Sequence, residues 1–282
     1  IKEKSNSNLK YFKLNALKSK ELEVFVKDHN ISEVYHLAAI LSAKGEDDPM
    51  NTWNLNMNSL FSVLDLAKNN IIKKVFWSSS ISVFGNNSPK NKTDQFSIKE
   101  PTTVYGISKL AGERWCEYYN IRYGTDIRSI RFPGIISSST LPGGGTTDYA
   151  VEIFYSFIRK ELYNCFLNKD SFLPMIYIDD AIESIHKLMS ADKENLSIKS
   201  SYNLSGFSLS PEIIENELKK IDKSFKVEYT PDFRQKIADS WPDSINDDYA
   251  RKDWSWNPNF NLKRTINEMI EKLKIKLKKD EL

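Results

Sequence analysis

The sequence from Lys74 to Lys109 begins Lys-Val-Phe-Trp-Ser-Ser-Ser and, after a loop rich in Asn, Pro and Lys, ends Tyr105-Gly106-Ile107-Ser108-Lys109. Residues 74–77 have the apolar character of a buried strand, and three serines follow at its end. Residues 105–123 have the pattern of a long helix. A strand, a loop and a helix in this order form the repeating unit of an α/β fold.

Strand and helix patterns alternate on both sides of this stretch. Upstream, residues 20–29 are helical in pattern, residues 31–37 form a strand, and residues 50–69 form a second helix. Downstream, residues 126–132 form a strand that ends at Pro133. This alternation predicts a doubly wound parallel sheet with helices on both faces, and such sheets bind their ligands beyond the carboxyl ends of the strands.

After residue 135 the sequence changes character. Residues 141–149 form a glycine-rich polar loop that leads into a helix. A short strand at 175–177 precedes a helix at 179–189, whose acidic start suits the helix dipole. Ser210-Pro211 has the residues that cap and open a helix, and residues 263–279 have the pattern of an amphipathic terminal helix.

The composition disfavours several classes of protein. Lys and Arg number 40 against 38 Asp and Glu, and the resulting formal charge of +2 argues against a nucleic-acid-binding protein. No apolar run reaches the roughly 18 residues needed to cross a bilayer, so we expect no membrane contact. Cys116 and Cys165 lie far apart without the spacing of metal ligands, which predicts two reduced thiols and no metal site.

The two ends of the sequence bear on localisation. Residues 279–282 read Lys-Asp-Glu-Leu, which spells an endoplasmic-reticulum retention signal. The start, residues 1–5, is polar and has no signal-peptide character. We interpret the ending as the coincidental end of a Lys-rich helix, and we expect a cytoplasmic protein, or a mitochondrial one in a eukaryote.

Tyr105 and Lys109 stand four positions apart, so the predicted helix places them on one face. An ammonium beside a phenol favours the phenolate and lowers a phenol pKa that is about 10 when unperturbed. Tyr105 is therefore a candidate general base, and one of the serines 78–80 is a candidate to orient the alcohol that it deprotonates. Since this spacing is common by chance, a surface tyrosine beside a solvated lysine is the alternative.

Several motifs resemble those of a known family. They are residues 36–39 (His-Leu-Ala-Ala), 56–58 (Asn-Met-Asn), 78–85 (Ser-Ser-Ser-Ile-Ser-Val-Phe-Gly), 105–109 and 131–134 (Arg-Phe-Pro-Gly). On these residues the chain resembles the extended short-chain dehydrogenase/reductase family, which includes NAD-dependent epimerases and dehydratases. More narrowly, residues 53–60, 142–150 and 231–242 resemble the epimerase-like L-threonine 3-dehydrogenases. The resemblance covers nearly all of residues 10–272 and implies a Rossmann-like α/β fold with a smaller C-terminal substrate lobe.

The resemblance implies NAD-dependent oxidation of L-threonine to 2-amino-3-ketobutyrate. Tyr105 would take the proton of the β-hydroxyl, Lys109 would lower the pKa of that tyrosine, and Ser80 would hold the substrate oxygen. Ser78 and Ser79 remain alternatives to Ser80, which the spacing to Tyr105 in relatives favours. The implied cofactor-binding residues are Ala16, Leu17, Leu37, Ala38, Ala39, Asn56, Tyr105, Lys109, Pro133 and Ile135. The implied substrate-binding residues are Ser42, Ser80, Tyr105, Gly144, Thr146, Thr147 and Trp241.

The resemblance also implies how the chain is divided and assembled. Residues 1–135 correspond to the dinucleotide-binding domain. Residues 136–282 correspond mainly to the substrate-binding lobe, with residues 175–190 returning to the Rossmann-like domain. Relatives usually dimerise through two helices of each subunit, which implies a homodimer through residues 52–69 and 105–123.

One departure from the family pattern limits these implications. Family members begin with a strand and a Gly-x-x-Gly-x-x-Gly turn that seats the cofactor pyrophosphate on a helix N-terminus, and residues 1–282 contain no such motif. We therefore expect that the first βαβ portion is missing and that this polypeptide binds a dinucleotide weakly. The choice between NAD and NADP stays open. A nucleotide-sugar epimerase or dehydratase and a non-catalytic Rossmann-like scaffold remain the alternative functions.

Overall fold

The structure, a computed structural model, describes residues 9–280, with side chains as far as residue 278. Its strands are β1 (Glu33–His36), β2 (Lys74–Ser80), β3 (Ile127–Phe132), β4 (Gly134–Ile136), β5 (Tyr163–Cys165), β6 (Leu173–Tyr177), β7 (Tyr202–Asn203), β8 (Phe207–Leu209) and β9 (Val227–Tyr229). The central sheet is parallel and has the order β1, β2, β3, β7. A second sheet has the order β4, β6, β8, and β5 pairs with β9.

Helices connect most of these strands. They are α1 (Ser19–Asp28), α2 (Ser42–Gly45), α3 (Pro49–Lys68), α4 (Val104–Tyr123), α5 (Tyr149–Arg159), α6 (Ile178–Ser190), α7 (Pro211–Ile221), α8 (Arg234–Ser240), α9 (Asp248–Trp254) and α10 (Leu262–Asp280). None of the helices within residues 9–280 combines the length and the apolar character that crossing a bilayer requires.

Helices cover both faces of the central sheet. Successive side chains of a strand point to opposite faces, so the partners of neighbouring residues show which helices cover each face. In β2, Val75 and Trp77 pack in one apolar cluster with Leu60 of α3. Phe76, between them, packs in a different cluster with Leu188 of α6. This is the predicted doubly wound parallel sheet, so the fold class is confirmed.

A third apolar cluster joins the helices that follow the central sheet. It includes Phe154 of α5, Leu218 of α7 and Leu273 of α10, all at most 1% exposed. It also includes Phe84, which lies before the predicted domain boundary at residue 135. The division of the chain at that boundary stays a prediction.

The structure differs from the sequence-based expectations at a few places. The short helix α2 and the pairing of β5 with β9 were not predicted, because neither segment is long enough to show a periodic pattern. Ser210 stands at the predicted N-cap of α7, but its side chain makes no capping hydrogen bond. The longer predicted helices and strands are present with ends shifted by a few residues.

Candidate active site

A cavity of about 440 Å³ lies beyond the carboxyl ends of β2 and β3, where a sheet of this kind binds its ligands. The start of α4, the turn after β3, the loop before α5 and part of α6 complete its walls. Of the residues with predicted roles, its lining contains Leu37, Ser42, Ser80, Tyr105, Pro133, Ile135, Thr146, Thr147 and Trp241. The structure thus places the predicted base and its serine beside most of the predicted substrate residues.

Local features at the start of α4 hold Tyr105 at this cavity. The Thr103 hydroxyl accepts a hydrogen bond from the Gly106 N–H at 3.1 Å and caps the helix. A Cβ on Gly106 would lie 2.2 Å from the carbonyl oxygen of Ser82, so only glycine allows the helix to approach the turn that follows β2. Tyr105, which precedes this contact, is therefore held close to Ser80.

Burial raises the pKa of Tyr105 to about 12, because the phenolate loses its hydration. The nearby hydroxyl of Ser80 acts in the opposite direction and lowers the pKa of Tyr105, because a hydroxyl beside the phenol favours the phenolate. The net direction contradicts the expectation that Lys109 lowers the pKa of this tyrosine below its ordinary value.

The position of Lys109 explains this difference. Its Nζ donates a hydrogen bond of 2.5 Å to the carbonyl oxygen of Ser78 and one of 3.5 Å to the hydroxyl of the same residue. The Nζ lies 5.4 Å from the centroid of the Tyr105 ring and 4.8 Å from that of Trp77. Burial lowers the pKa of Lys109 to about 8. Lys109 shares a helix face with Tyr105, as predicted, but its ammonium is directed at the end of β2.

The three serines at the end of β2 have different partners. Ser79 is 2% exposed and donates a hydrogen bond of 2.6 Å to Glu113 of α4. Ser78 accepts hydrogen bonds from the ammonium of Lys109 at its carbonyl and hydroxyl oxygens. Ser80 lies with Tyr105 in the cavity lining, and its hydroxyl accepts a hydrogen bond from the N–H of Ser82 at 3.2 Å. These contacts favour Ser80 over its two neighbours as the partner of the candidate base.

The loop before α5 carries a buried hydroxyl that has no partner within the described residues. Thr146 is 1% exposed, lines the cavity, and its Oγ1 makes no hydrogen bond. Leaving a buried hydroxyl unpaired is costly, so a ligand atom at this position would be stabilised. Thr147 and Gly145 line the cavity as well. Gly144 lies outside the lining and forms the turn of the loop, with a φ of +88°.

Sequence reasoning missed Asp148, the residue directly before α5. Its Oδ2 accepts hydrogen bonds of 2.8 Å from the N–H groups of Gly143 and Gly145. Among the residues that the structure describes, Asp148 is the one charged side chain in the cavity lining. An aspartate between a glycine-rich loop and a helix is a readable signal, because Asp is a preferred residue at helix starts.

Two further predicted substrate residues reach the cavity from distant parts of the chain. Ser42, the first residue of α2, is 6% exposed. Trp241 follows α8 and is 5% exposed. Its carbonyl oxygen accepts a hydrogen bond of 2.8 Å from Lys90, which fixes this segment to the loop that precedes α4.

The predicted cofactor residues fall into two groups. Leu37, Pro133 and Ile135 line the cavity close to Ser80 and provide apolar surface that suits a flat ring such as nicotinamide. Asn56 is buried outside the lining, where its amide bonds the N–H and carbonyl of Ile40 at 2.8 and 3.2 Å and holds the loop after β1. Also outside the lining are Ala38 and Ala39 in that loop, and Ala16 and Leu17 in a turn before α1.

Comparisons with known proteins place this geometry in context. The sequence model of the NAD dependent epimerase/dehydratase family matches residues 2–205. An uncharacterized epimerase/dehydratase from Staphylococcus haemolyticus is 42% identical over 264 residues, which are 93% of this chain and 83% of that protein.

Solved structures give the same result. An L-threonine dehydrogenase from Cupriavidus necator in its holo form is 48% identical, with a TM-score of 0.92, over 94% of this chain and 86% of that one. A monomeric L-threonine 3-dehydrogenase from a metagenome is 44% identical, with a TM-score of 0.91, over 98% of this chain and 89% of that one. The resemblance read from the sequence motifs is confirmed.

Proposed function

Because this chain belongs to the NAD-dependent epimerase/dehydratase family, we propose that it oxidises L-threonine to 2-amino-3-ketobutyrate with NAD as the cofactor. The observation that carries the proposal is the meeting of two groups of residues in one cavity. Ser80 and Tyr105 can bind and deprotonate an alcohol, and Thr146 and Asp148 can bind the charged groups of an amino acid. The similarity to threonine dehydrogenases supports the same reaction.

In this mechanism the residues at the end of β2 and the start of α4 act on the β-hydroxyl of threonine. The Ser80 hydroxyl hydrogen-bonds the substrate oxygen and holds it beside the phenol of Tyr105. The phenolate of Tyr105 takes the hydroxyl proton, and the β-carbon becomes a ketone as it loses a hydride. Pro133 and Ile135 would hold the nicotinamide of a bound dinucleotide, which would accept that hydride.

The high pKa of Tyr105 has to be overcome for this role, since a buried phenol with a pKa of about 12 is protonated at neutral pH. A positive charge near the phenol favours the phenolate, and two are available. One would be the ammonium of Lys109, once it turns from the carbonyl of Ser78 towards the phenol. The other would be the positive charge that the oxidised nicotinamide ring carries when the dinucleotide is bound.

The charged groups of threonine match the opposite part of the cavity. The carboxylate of Asp148 is suited to the substrate ammonium, because a charge-assisted hydrogen bond in a partly buried site is stronger than a neutral one. The hydroxyls of Thr146 and Thr147, at the N-terminal side of α5, are suited to the substrate carboxylate. These contacts would fix the orientation of the β-hydroxyl towards Ser80.

A nucleotide sugar fits this lining less well. A sugar diphosphate needs basic side chains, and no Lys or Arg lines the cavity within residues 9–280. The test is a comparison of substrates with the purified chain over a wide range of NAD concentrations. We expect reduced nicotinamide to form with L-threonine and no conversion of UDP-sugars. Conversion of a UDP-sugar without any reaction of threonine would contradict the proposal.

We also propose that α3 and α4 form a homodimer surface. Large apolar side chains on α4 are exposed, with Trp115 at 40% and Tyr118 at 47%, and exposed aromatic surface of this kind is often an interface. One similar threonine dehydrogenase is described as monomeric, so the assembly has to be measured for this chain. Light scattering should give a dimer that Trp115→Glu converts to a monomer. A monomeric wild-type protein would contradict this surface.

A further inference from the structure

A buried carboxylate lies directly behind the serines of β2 without lining the cavity. Glu113 of α4 is 1% exposed and lies two helical turns beyond Tyr105. Its Oε1 accepts a hydrogen bond of 2.6 Å from the hydroxyl of Ser79 and one of 2.8 Å from Nε of Arg131. Its Oε2 accepts one of 2.7 Å from Nη2 of the same arginine. The carboxylate of Glu113 therefore connects α4 to the adjacent strands β2 and β3.

Arg131 is itself fixed on its far side. Its Nη1 donates hydrogen bonds of 2.9 Å to the carbonyl oxygen of Gln95 and to Oδ1 of Asn203. The arginine is 2% exposed, so neither charge of the pair can be solvated by water. Separating Glu113 from Arg131 would leave a buried charge unpaired, so the Glu113 carboxylate is held in a fixed position.

Ser79 transmits this rigidity to the end of β2. The pairing of β2 with β3 ends at Ser80 and Phe132, after which the chain turns away from the sheet. Successive side chains of a strand face opposite ways, so holding the hydroxyl of Ser79 on the α4 side determines the direction of the Ser80 side chain. Without that anchor, the Ser80 side chain would be held only by the pairing of Ser80 with Phe132 and by the hydrogen bond from the N–H of Ser82.

We propose that Ser79 and Glu113 are positioning residues that direct the Ser80 hydroxyl towards Tyr105. This inference rests on the roles of Ser80 and Tyr105 in the proposed function. Neither Ser79 nor Glu113 exchanges a proton with the substrate. Their effect on the reaction passes entirely through the orientation of Ser80.

The experiment uses Ser79→Ala, which removes the anchoring hydroxyl and leaves the Glu113–Arg131 ion pair intact. The protein is labelled with ¹³C at the tyrosine Cζ, and the Tyr105 signal is identified among the 13 tyrosines by its loss in Tyr105→Phe. The Cζ chemical shift reports the environment of the phenol, including the position of the Ser80 hydroxyl. We expect Ser79→Ala to move this signal in the direction in which Ser80→Ala moves it.

Ser129→Ala is the matched control. Ser129 is a buried serine of the adjacent strand β3, and its hydroxyl bonds Ser201 rather than Glu113. The control loses one buried hydrogen bond, as Ser79→Ala does, but it should leave the Tyr105 signal in place. If Ser79→Ala leaves the signal at its wild-type position, or if Ser129→Ala moves it equally, the inference is wrong.

Turnover provides a second readout that a merely structural role would not affect in the same way. Ser79→Ala should lower kcat roughly tenfold in the wild-type background and by less than about twofold when Ser80 is already alanine, because residues that act through one another are not additive. If the variant with both substitutions loses kcat by the product of the two single losses, the inference is wrong. If the wild-type chain has no turnover with threonine, the proposed function fails, while the tyrosine signal still decides the role of Ser79.

Discussion

The two sides of the cavity differ in how completely their groups are satisfied. The inner side is formed by the ends of β2 and β3 and by α4, and directly behind it the buried carboxylate of Glu113 is hydrogen-bonded to both Ser79 and Arg131. On the outer side, formed by the end of β1 and the loop after it, Leu37 and Leu41 are 57% and 59% exposed. Since catalysis needs groups held in fixed positions, the proposed reaction requires the inner side to carry the chemistry and the outer side to provide access.

The strongest test of the inner side is Tyr105→Phe. The substitution removes the phenol oxygen and preserves the ring that fills the buried position, so the fold should remain intact. We expect kcat with threonine to fall by about 10²–10⁴-fold, the usual contribution of a general base. The measurement is the rate at which reduced nicotinamide forms at saturating threonine.

Tyr119→Phe is the control for that prediction. Tyr119 lies on the same helix, but its phenol bonds Asp65 of α3 at 3.0 Å and is remote from the cavity lining. Its substitution should leave kcat unchanged. Equal losses in the two variants would mean that α4 needs tyrosines for packing, and the catalytic assignment of the inner side would fail.

His36 sits at the boundary between the two sides, because it ends the exposed strand β1 and yet is 6% exposed. Burial, assisted by the nearby charge of Lys109, lowers the pKa of His36 from 6.5 to about 4. Between these values the unfolded chain binds more protons than the folded one, so the free energy of unfolding should rise with pH from about 4 to 6.5. The rise attributable to His36 is about 3 kcal/mol.

This pH dependence can be isolated by comparing variants in urea unfolding. His36→Gln keeps a group that can bond the hydroxyl of Ser59, the present partner of the imidazole at 3.2 Å, and it should lack the rise. His29→Gln changes an exposed histidine at the end of α1 and should retain it. If the rise persists in His36→Gln, another group causes it, and His36 behaves like an exposed residue of the outer side.

Asp148→Asn tests whether the cavity discriminates by charge as well as by shape. Asparagine keeps an oxygen for the N–H groups of Gly143 and Gly145, so the loop should hold its shape. We expect the KM for threonine to rise about 10–100-fold, which corresponds to the loss of a hydrogen bond between charged groups, with a smaller change in kcat. Steady-state kinetics measures both constants.

An analogue that lacks the amino group provides the control for Asp148. With 3-hydroxybutyrate the wild-type protein and Asp148→Asn should have similar kinetic constants, because no ammonium is present to be recognised. If the substitution affects both substrates equally, Asp148 supports the loop and does not read the substrate charge.

The sequence predicted the residues of the inner side better than it predicted their hydrogen bonds. Tyr105 and Lys109 were placed on one helix face correctly, because helix periodicity is a local property. The hydrogen bond from Lys109 to the carbonyl of Ser78 was not predictable, since it joins segments 31 residues apart through the packing of α4 on β2. The same holds for the bond between Ser79 and Glu113, which are 34 residues apart.

The outer side was predicted mainly through resemblance, and the structure brings only part of it to the cavity. Leu37 lies in the lining, whereas Ala38 and Ala39 do not. Asn56, expected to face a cofactor, bonds the backbone of Ile40 instead. A motif specifies which residues follow a strand, but the direction of each side chain depends on the loop conformation, which has no periodic signal.

Two aromatic residues with very different exposure face each other across β1 and β2. Tyr35 and Phe76 are in register, with ring centroids 6.2 Å apart, but Tyr35 is 43% exposed and Phe76 is 0% exposed. Phe76→Ala should lower the free energy of unfolding by about 3–5 kcal/mol, as expected for a large side chain lost from a core. Tyr35→Ala should lower it by no more than about 1 kcal/mol, because much of its surface already contacts water.

Urea unfolding of both variants decides whether the contrast between the two sides is energetic as well as geometric. The slope of the unfolding free energy against urea should match the wild type in each variant, so that the midpoints can be compared directly. A loss at Tyr35 close to that at Phe76 would mean that the edge strand is a full part of the core. The outer side of the cavity would then be as rigid as the inner side, and exposure alone would be a poor guide to where this fold holds its reactive groups.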